Sequence, residues 1–92
     1  MFIETERTPN PATLKFLPGR ALTDGATVDF ARPEDAETSP LANALFELGD
    51  VERVFFGSDF VSVTKAEGSA DWASLKPQIL GILVDHFASL FR

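Results

Sequence analysis

The chain has 92 residues, with 14 acidic and 8 basic side chains, a formal charge of −6, 45% apolar residues and no cysteine. That length supports one domain with one modest core, and an apolar share near the globular mean argues against disorder. Without cysteine the chain has no disulfide, thiol nucleophile, cysteine zinc site or thiolate-held iron–sulfur cluster, and its acidic balance speaks against nucleic acid, whose phosphates require clustered Lys and Arg.

Residues Phe2 to Arg7 read as a short first strand, ended by Thr8-Pro9-Asn10-Pro11. Two prolines flanking an asparagine fit neither ladder nor helix, so this segment is an ordered corner or loop. Thr13 to Leu17 alternates, with Leu14 and Phe16 on one face and Lys15 on the other, before Pro18-Gly19 stops it. A weaker strand at Thr27 to Phe30 puts Val28 and Phe30 on one face, and the charged stretch Ala31 to Thr38 reads as a solvated loop. Ser39-Pro40 opens a short helix with Leu41, Ala44, Leu45 and Leu48 on one face, and Gly49 closes it. Val51 to Phe56 and Phe60 to Lys65, separated by Gly57-Ser58-Asp59, form a β-hairpin. Phe55 and Phe56 point to opposite faces, so one of them needs cover away from the main core.

The last helix spans Asp71 to Arg92, capped by Asp71 or Ser69, with its continuous part starting at Pro77. Trp72, Leu75, Ile79, Ile82, Leu83, His86, Phe87 and Leu90 form one stripe, which Ala73, Leu80, Val84 and Phe91 widen to about 200°. A loop, the other helix or a partner must cover the surplus. The order is ββ(β)αββα, which predicts an α+β two-layer sandwich of about five largely antiparallel strands with two helices on one face. The longest apolar run, Ile79 to Val84, is too short to cross a membrane. The acidic start is expected to be neither a signal peptide nor an organelle presequence. The expectation is a cytoplasmic chain.

No catalytic constellation emerges. Glu34, Asp35 and Glu37 lack the spacing and glycine of a calcium loop. His86 lies in an apolar stripe without a second histidine or a carboxylate four residues away. No nucleophile elbow surrounds any serine, and the chain is expected not to be an enzyme.

The segment Thr8-Pro9-Asn10-Pro11-Ala12-Thr13-Leu14-Lys15-Phe16-Leu17-Pro18-Gly19 resembles the opening signature of the N-terminal domain of Nfu proteins, the NifU-like iron–sulfur cluster scaffolds and carriers. Three further blocks fit in order: Ser39-Pro40-Leu41-Ala42 with Leu45-Phe46, then Val51 to Thr64, then Trp72-x-x-Leu75-Lys76-Pro77-x-Ile79. The resemblance implies a single Nfu N-terminal-type domain over residues 1–92. It implies a non-catalytic docking or regulatory role in assembling and delivering iron–sulfur clusters. The cluster itself would sit on a Cys-x-x-Cys C-terminal NifU-like domain that is absent from this chain. Expected partners are that domain and apo iron–sulfur clients, with neither nucleic acid nor membrane. The candidate interaction surface is Pro9, Asn10, Pro11, Phe46, Leu80, Val84 and Phe91. For the proline corner, a structural role and a recognition role both stay open, as do burial and partner contact for the surplus stripe. The alternative is a stand-alone iron- or metal-binding module using carboxylates and His86.

Overall fold

A computed structural model describes residues 3–23, 25–68 and 71–89. Its strands are β1 (Glu4–Arg7), β2 (Thr13–Leu17), β3 (Val28–Phe30), β4 (Val51–Phe56) and β5 (Val61–Lys65); its helices are α1 (Pro40–Phe46) and α2 (Trp72–Ser89). The strands form one antiparallel sheet in the order β1-β2-β5-β4-β3. The fold is therefore the expected α+β sandwich, with both helices on one face of the sheet. No helix among the described residues is long and apolar enough to cross a membrane.

Alternation decides which face is buried. Leu14 and Phe16 of β2, Val61 and Val63 of β5, and Val54 and Phe56 of β4 stand in register and are all buried. Phe30 continues the row into β3, its ring meeting Phe56 edge-on at 5.0 Å. Val51 is also buried although it lies three residues before Val54. The register shift between Val51 and Arg53 explains this: a bulge places Glu52 and Arg53 both outward and returns Val51 to the core.

Helix α1 starts and stops as its sequence dictates. The Ser39 hydroxyl accepts the Ala42 N–H at 3.2 Å, Pro40 takes the first position, and Gly49 follows in the left-handed region at φ 83°. Its inward face differs from the expected one. Leu41, Ala42, Leu45 and Phe46 are buried, whereas Ala44 and Leu48 are only half-buried. The helix lies against both the sheet and α2, so its covered arc is rotated towards Phe46.

Two boundaries also differ. The acidic stretch holds a 3-10 turn at Pro33–Ala36, and Ala36 is fully buried in the core. Helix α2 runs unbroken from Trp72 through Pro77, and Asp71 caps it as expected: the Asp71 carboxylate accepts Ser74 N–H at 3.1 Å, and its carbonyl accepts Leu75 N–H at 3.0 Å. Leu75 is fully buried one turn in, which outweighs the hydrogen bond that Pro77 cannot make. Along α2, Leu75, Ile79, Leu83 and Phe87 face the core, and Leu80 and Ile82 pack beside them. The expected cap at Ser69 and the residues Leu90 and Phe91 lie outside the described residues.

The opposite sheet face is uncovered by helix. Phe55 lies there against Phe60 at 6.0 Å, and Lys15 Nζ sits 4.2 Å from the Phe60 ring centroid. Near the far edge Asp29 accepts hydrogen bonds from Arg53 Nε at 2.9 Å and from Arg53 Nη2. Those hydrogen bonds hold the Asp29 carboxyl below the usual carboxylate range. A carboxyl depressed on folding stabilises above its unfolded pKa of about 3.9, and the gain is lost as pH falls through the folded value. The pair is solvated, so the effect is small. The urea midpoint of Asp29→Asn is expected below that of the wild type at neutral pH, with the gap closing in acid.

Candidate interaction groove

The Thr8-Pro9-Asn10-Pro11 segment is a closed hydrogen-bonded corner between β1 and β2. The Thr8 hydroxyl accepts the Asn10 N–H at 3.2 Å and can donate to the carbonyls of Asn10 and Thr13, at 2.9 and 3.0 Å. Asn10 Oδ1 accepts the Ala12 N–H at 3.0 Å, an Asx turn, and the Asn10 carbonyl accepts the Thr13 N–H at 3.0 Å. Two prolines fix φ around these bonds. The Pro11 carbonyl accepts the Trp72 indole N–H at 3.0 Å, which ties the corner to the first turn of α2.

Between β1, this corner and α2 lies an open groove of about 700 Å³. Thr5 and Arg7 enter it from β1, since their register partners Phe16 and Leu14 face the helices. Pro9, Asn10 and Pro11 form one end, and Trp72, Ala73 and Lys76 the helical wall. Arg7 and Lys76 form no ion pair among the described residues, whereas Lys15, Arg32 and Arg53 face Glu6, Glu34 with Asp35, and Asp29. A smaller hollow of about 390 Å³, lined by Glu4, Leu17, Gly19 and Asp59, carries only acidic charge.

The residues singled out from the sequence separate. Pro9, Asn10 and Pro11 are exposed and lie together at the groove. Phe46 does not belong to a surface: it is 8% exposed and packs in the core. Leu80 is half-buried against the core, Val84 is 41% exposed on α2, and Phe91 lies outside the described residues. Arg7, Trp72 and Lys76 are not in the candidate surface read from the sequence, although Trp72 and Lys76 stand in its last family block. One signal pointed to Trp72: an indole N–H within an apolar stripe needs an acceptor, and the nearby corner offers a carbonyl.

No group of three or more His, Asp or Glu side chains converges among the described residues. The carboxylates of residues 34–37 and His86 therefore make no ligand set. Glu34 and Asp35 face Arg32 instead, and the His86 ring packs edge-on against Phe87 at 5.2 Å.

The family model described as scaffold protein Nfu/NifU N terminal matches residues 3–90. A human protein named NFU1 iron-sulfur cluster scaffold homolog, mitochondrial, is 49% identical over 89 residues, 97% of this chain and 35% of its own length. The protein of the same name from Drosophila erecta is 50% identical over 90 residues, 97% of this chain and 31% of its own. This chain thus spans about a third of these relatives. Among solved structures, a NifU-like protein from Saccharomyces cerevisiae is similar at a TM-score of 0.85 and 29% identity, covering 96% of this chain and 79% of that one. A Staphylococcus aureus protein shares the fold, with a TM-score of 0.74 at 24% identity over 90% of this chain and 99% of that one. The mitochondrial relatives overturn the expectation of a cytoplasmic chain and point to mitochondria. That expectation rested on the acidic start, which belongs to the first strand of the domain from Glu4.

Proposed function

Because the chain belongs to the Nfu/NifU N-terminal scaffold family, we propose that it is the docking domain of an iron–sulfur cluster scaffold, acting by presenting a surface rather than by chemistry. One observation carries this reading: a domain of a cluster-scaffold family has no cysteine anywhere in its sequence. Iron–sulfur clusters are held by thiolates, so the cluster is cargo for another part of a longer protein. The relatives are about three times the length of this chain, which leaves room for a cysteine-bearing NifU-like domain. The partners on this reading are that domain and apo-proteins awaiting a cluster, with the groove and the exposed flank of α2 around Val84 as contact surfaces. A regulatory effect on the cysteine-bearing half would act through the same contacts.

The test is anaerobic reconstitution with ferrous iron and sulfide. The 92-residue chain is expected to stay colourless after desalting, while a longer protein carrying this domain and a Cys-x-x-Cys domain gains the visible absorption of a thiolate-bound cluster. Removing this domain from the longer protein is expected to leave loading intact and to slow delivery to an apo-acceptor. Stoichiometric cluster binding by this chain alone, or delivery unchanged by its removal, would overturn the reading.

A further inference from the structure

We propose that the groove between β1, the proline corner and α2 binds an extended acidic segment of a partner protein, which adds as a strand to the edge of β1. The inference rests on the docking reading and names the chemistry of what docks.

Charge is the first argument. In a chain of net charge −6, the two cations facing the groove, Arg7 and Lys76, have no carboxylate partner among the described residues. Acids close to them in sequence are committed elsewhere. Glu6 points to the other sheet face, where it meets Lys15 at 3.9 Å, and Asp71 caps α2. The groove is therefore a basic site on an acidic molecule, and its complement is an anion.

The backbone narrows the class of anion. Strand β1 is the edge of the sheet, so its outer N–H and C=O groups pair with no strand. An added peptide strand satisfies them and sends alternate side chains to the helix side. There, carboxylates reach Arg7 and Lys76, and an apolar residue meets the half-buried ring of Trp72. A small anion leaves both the edge and the ring unused. A polynucleotide meets only two cations and the repulsion of the whole molecule. The Pro11 carbonyl already holds the Trp72 indole, so this wall is fixed before the partner arrives and less ordering opposes binding.

Trp72 is the single tryptophan, so its emission reports the groove directly. The probe is a blocked heptapeptide of alternating glutamate and valine, titrated into the 92-residue chain at low salt. Emission is expected to change saturably, with a Kd in the micromolar range that rises with salt. Arg7→Glu and Lys76→Glu are each expected to raise Kd about tenfold or more, and the glutamine version of the peptide to lose as much. Arg7→Gln and Lys76→Gln give smaller rises and guard against a charge reversal that perturbs folding, which circular dichroism reads independently. Arg32→Glu, beyond β3 at the sheet edge opposite β1, leaves Kd unchanged. Amides of β1 gain protection from hydrogen exchange on binding. The proposal is overturned by no saturable change, by equal binding of the glutamine peptide, or by indifference to the Arg7 and Lys76 variants. Unprotected β1 amides, or tighter binding of citrate or of a single-stranded oligonucleotide, would overturn it as well. Cluster loading and delivery are read separately, so this proposal can fail while the docking role stands.

Discussion

Replacing Phe16 with alanine is expected to cost about 3–5 kcal/mol, the range for removing a buried aromatic ring. Phe16 is fully buried in β2, where its register partners are Thr5 of β1 and Val61 of β5. A domain of this size has a total stability of about 5–14 kcal/mol, so a large part of the margin goes. The measurement is urea denaturation, where the midpoint should fall with the slope unchanged. Phe16→Leu, which keeps most of the volume, should lose well under half as much. A loss below about 1 kcal/mol for the alanine variant would mean that β2 is not central to the core. The variant also bears on the groove, because β2 leads directly from the proline corner that Trp72 holds. Trp72 emission is expected to report the same lowered midpoint, because the Pro11 carbonyl that holds its indole leads into β2.

What could be read from the sequence divides along a physical line. Signals that are local in the chain translated directly. Ser39, Pro40 and Gly49 bound α1, and the alternation of β2 and β5 set their faces. Features that depend on contacts far apart in sequence did not. Val51 and Val54 are three residues apart and share a face only because a bulge absorbs the odd residue. The Asp71 cap and its first turn were legible locally, but that α2 runs unbroken through Pro77 was not, because it depends on Leu75 being buried in the core. Phe46 looks like a surface candidate on a single-faced helix and is core on one that touches both the sheet and α2. The groove divides in the same way. Pro9, Asn10 and Pro11 announce a rigid corner by composition, whereas Arg7 and Lys76 come to line one groove only once β1 and α2 flank the same corner.

Gly57→Ala is expected to destabilise by about 1–3 kcal/mol, and Phe60→Ala is expected to cancel that penalty. An ideal Cβ on Gly57 would stand 2.0 Å from Cε1, 2.4 Å from Cζ and 2.5 Å from Cδ1 of Phe60, so the ring occupies the space of the missing side chain. Moving the ring is costly because it lies against Phe55 and under Lys15, and because the Gly57 N–H donates to the Phe60 carbonyl at 2.9 Å. Gly57 is not among the glycines with positive φ, so its backbone suits an L residue and the penalty is steric alone. Once Phe60 is alanine, Gly57→Ala should be neutral or stabilising by a few tenths of a kcal/mol, because alanine restricts the unfolded chain. The double-mutant cycle should therefore give a coupling of about 1 kcal/mol or more. An equal cost of Gly57→Ala in both backgrounds would place the penalty in the backbone and refute the ring contact. The Phe55–Phe60 pair lies on the sheet face opposite the helices, and the groove residues of β1 point the other way. Binding of the acidic peptide to the double variant should therefore match the wild type, which separates the stability of the hairpin from the chemistry of the groove.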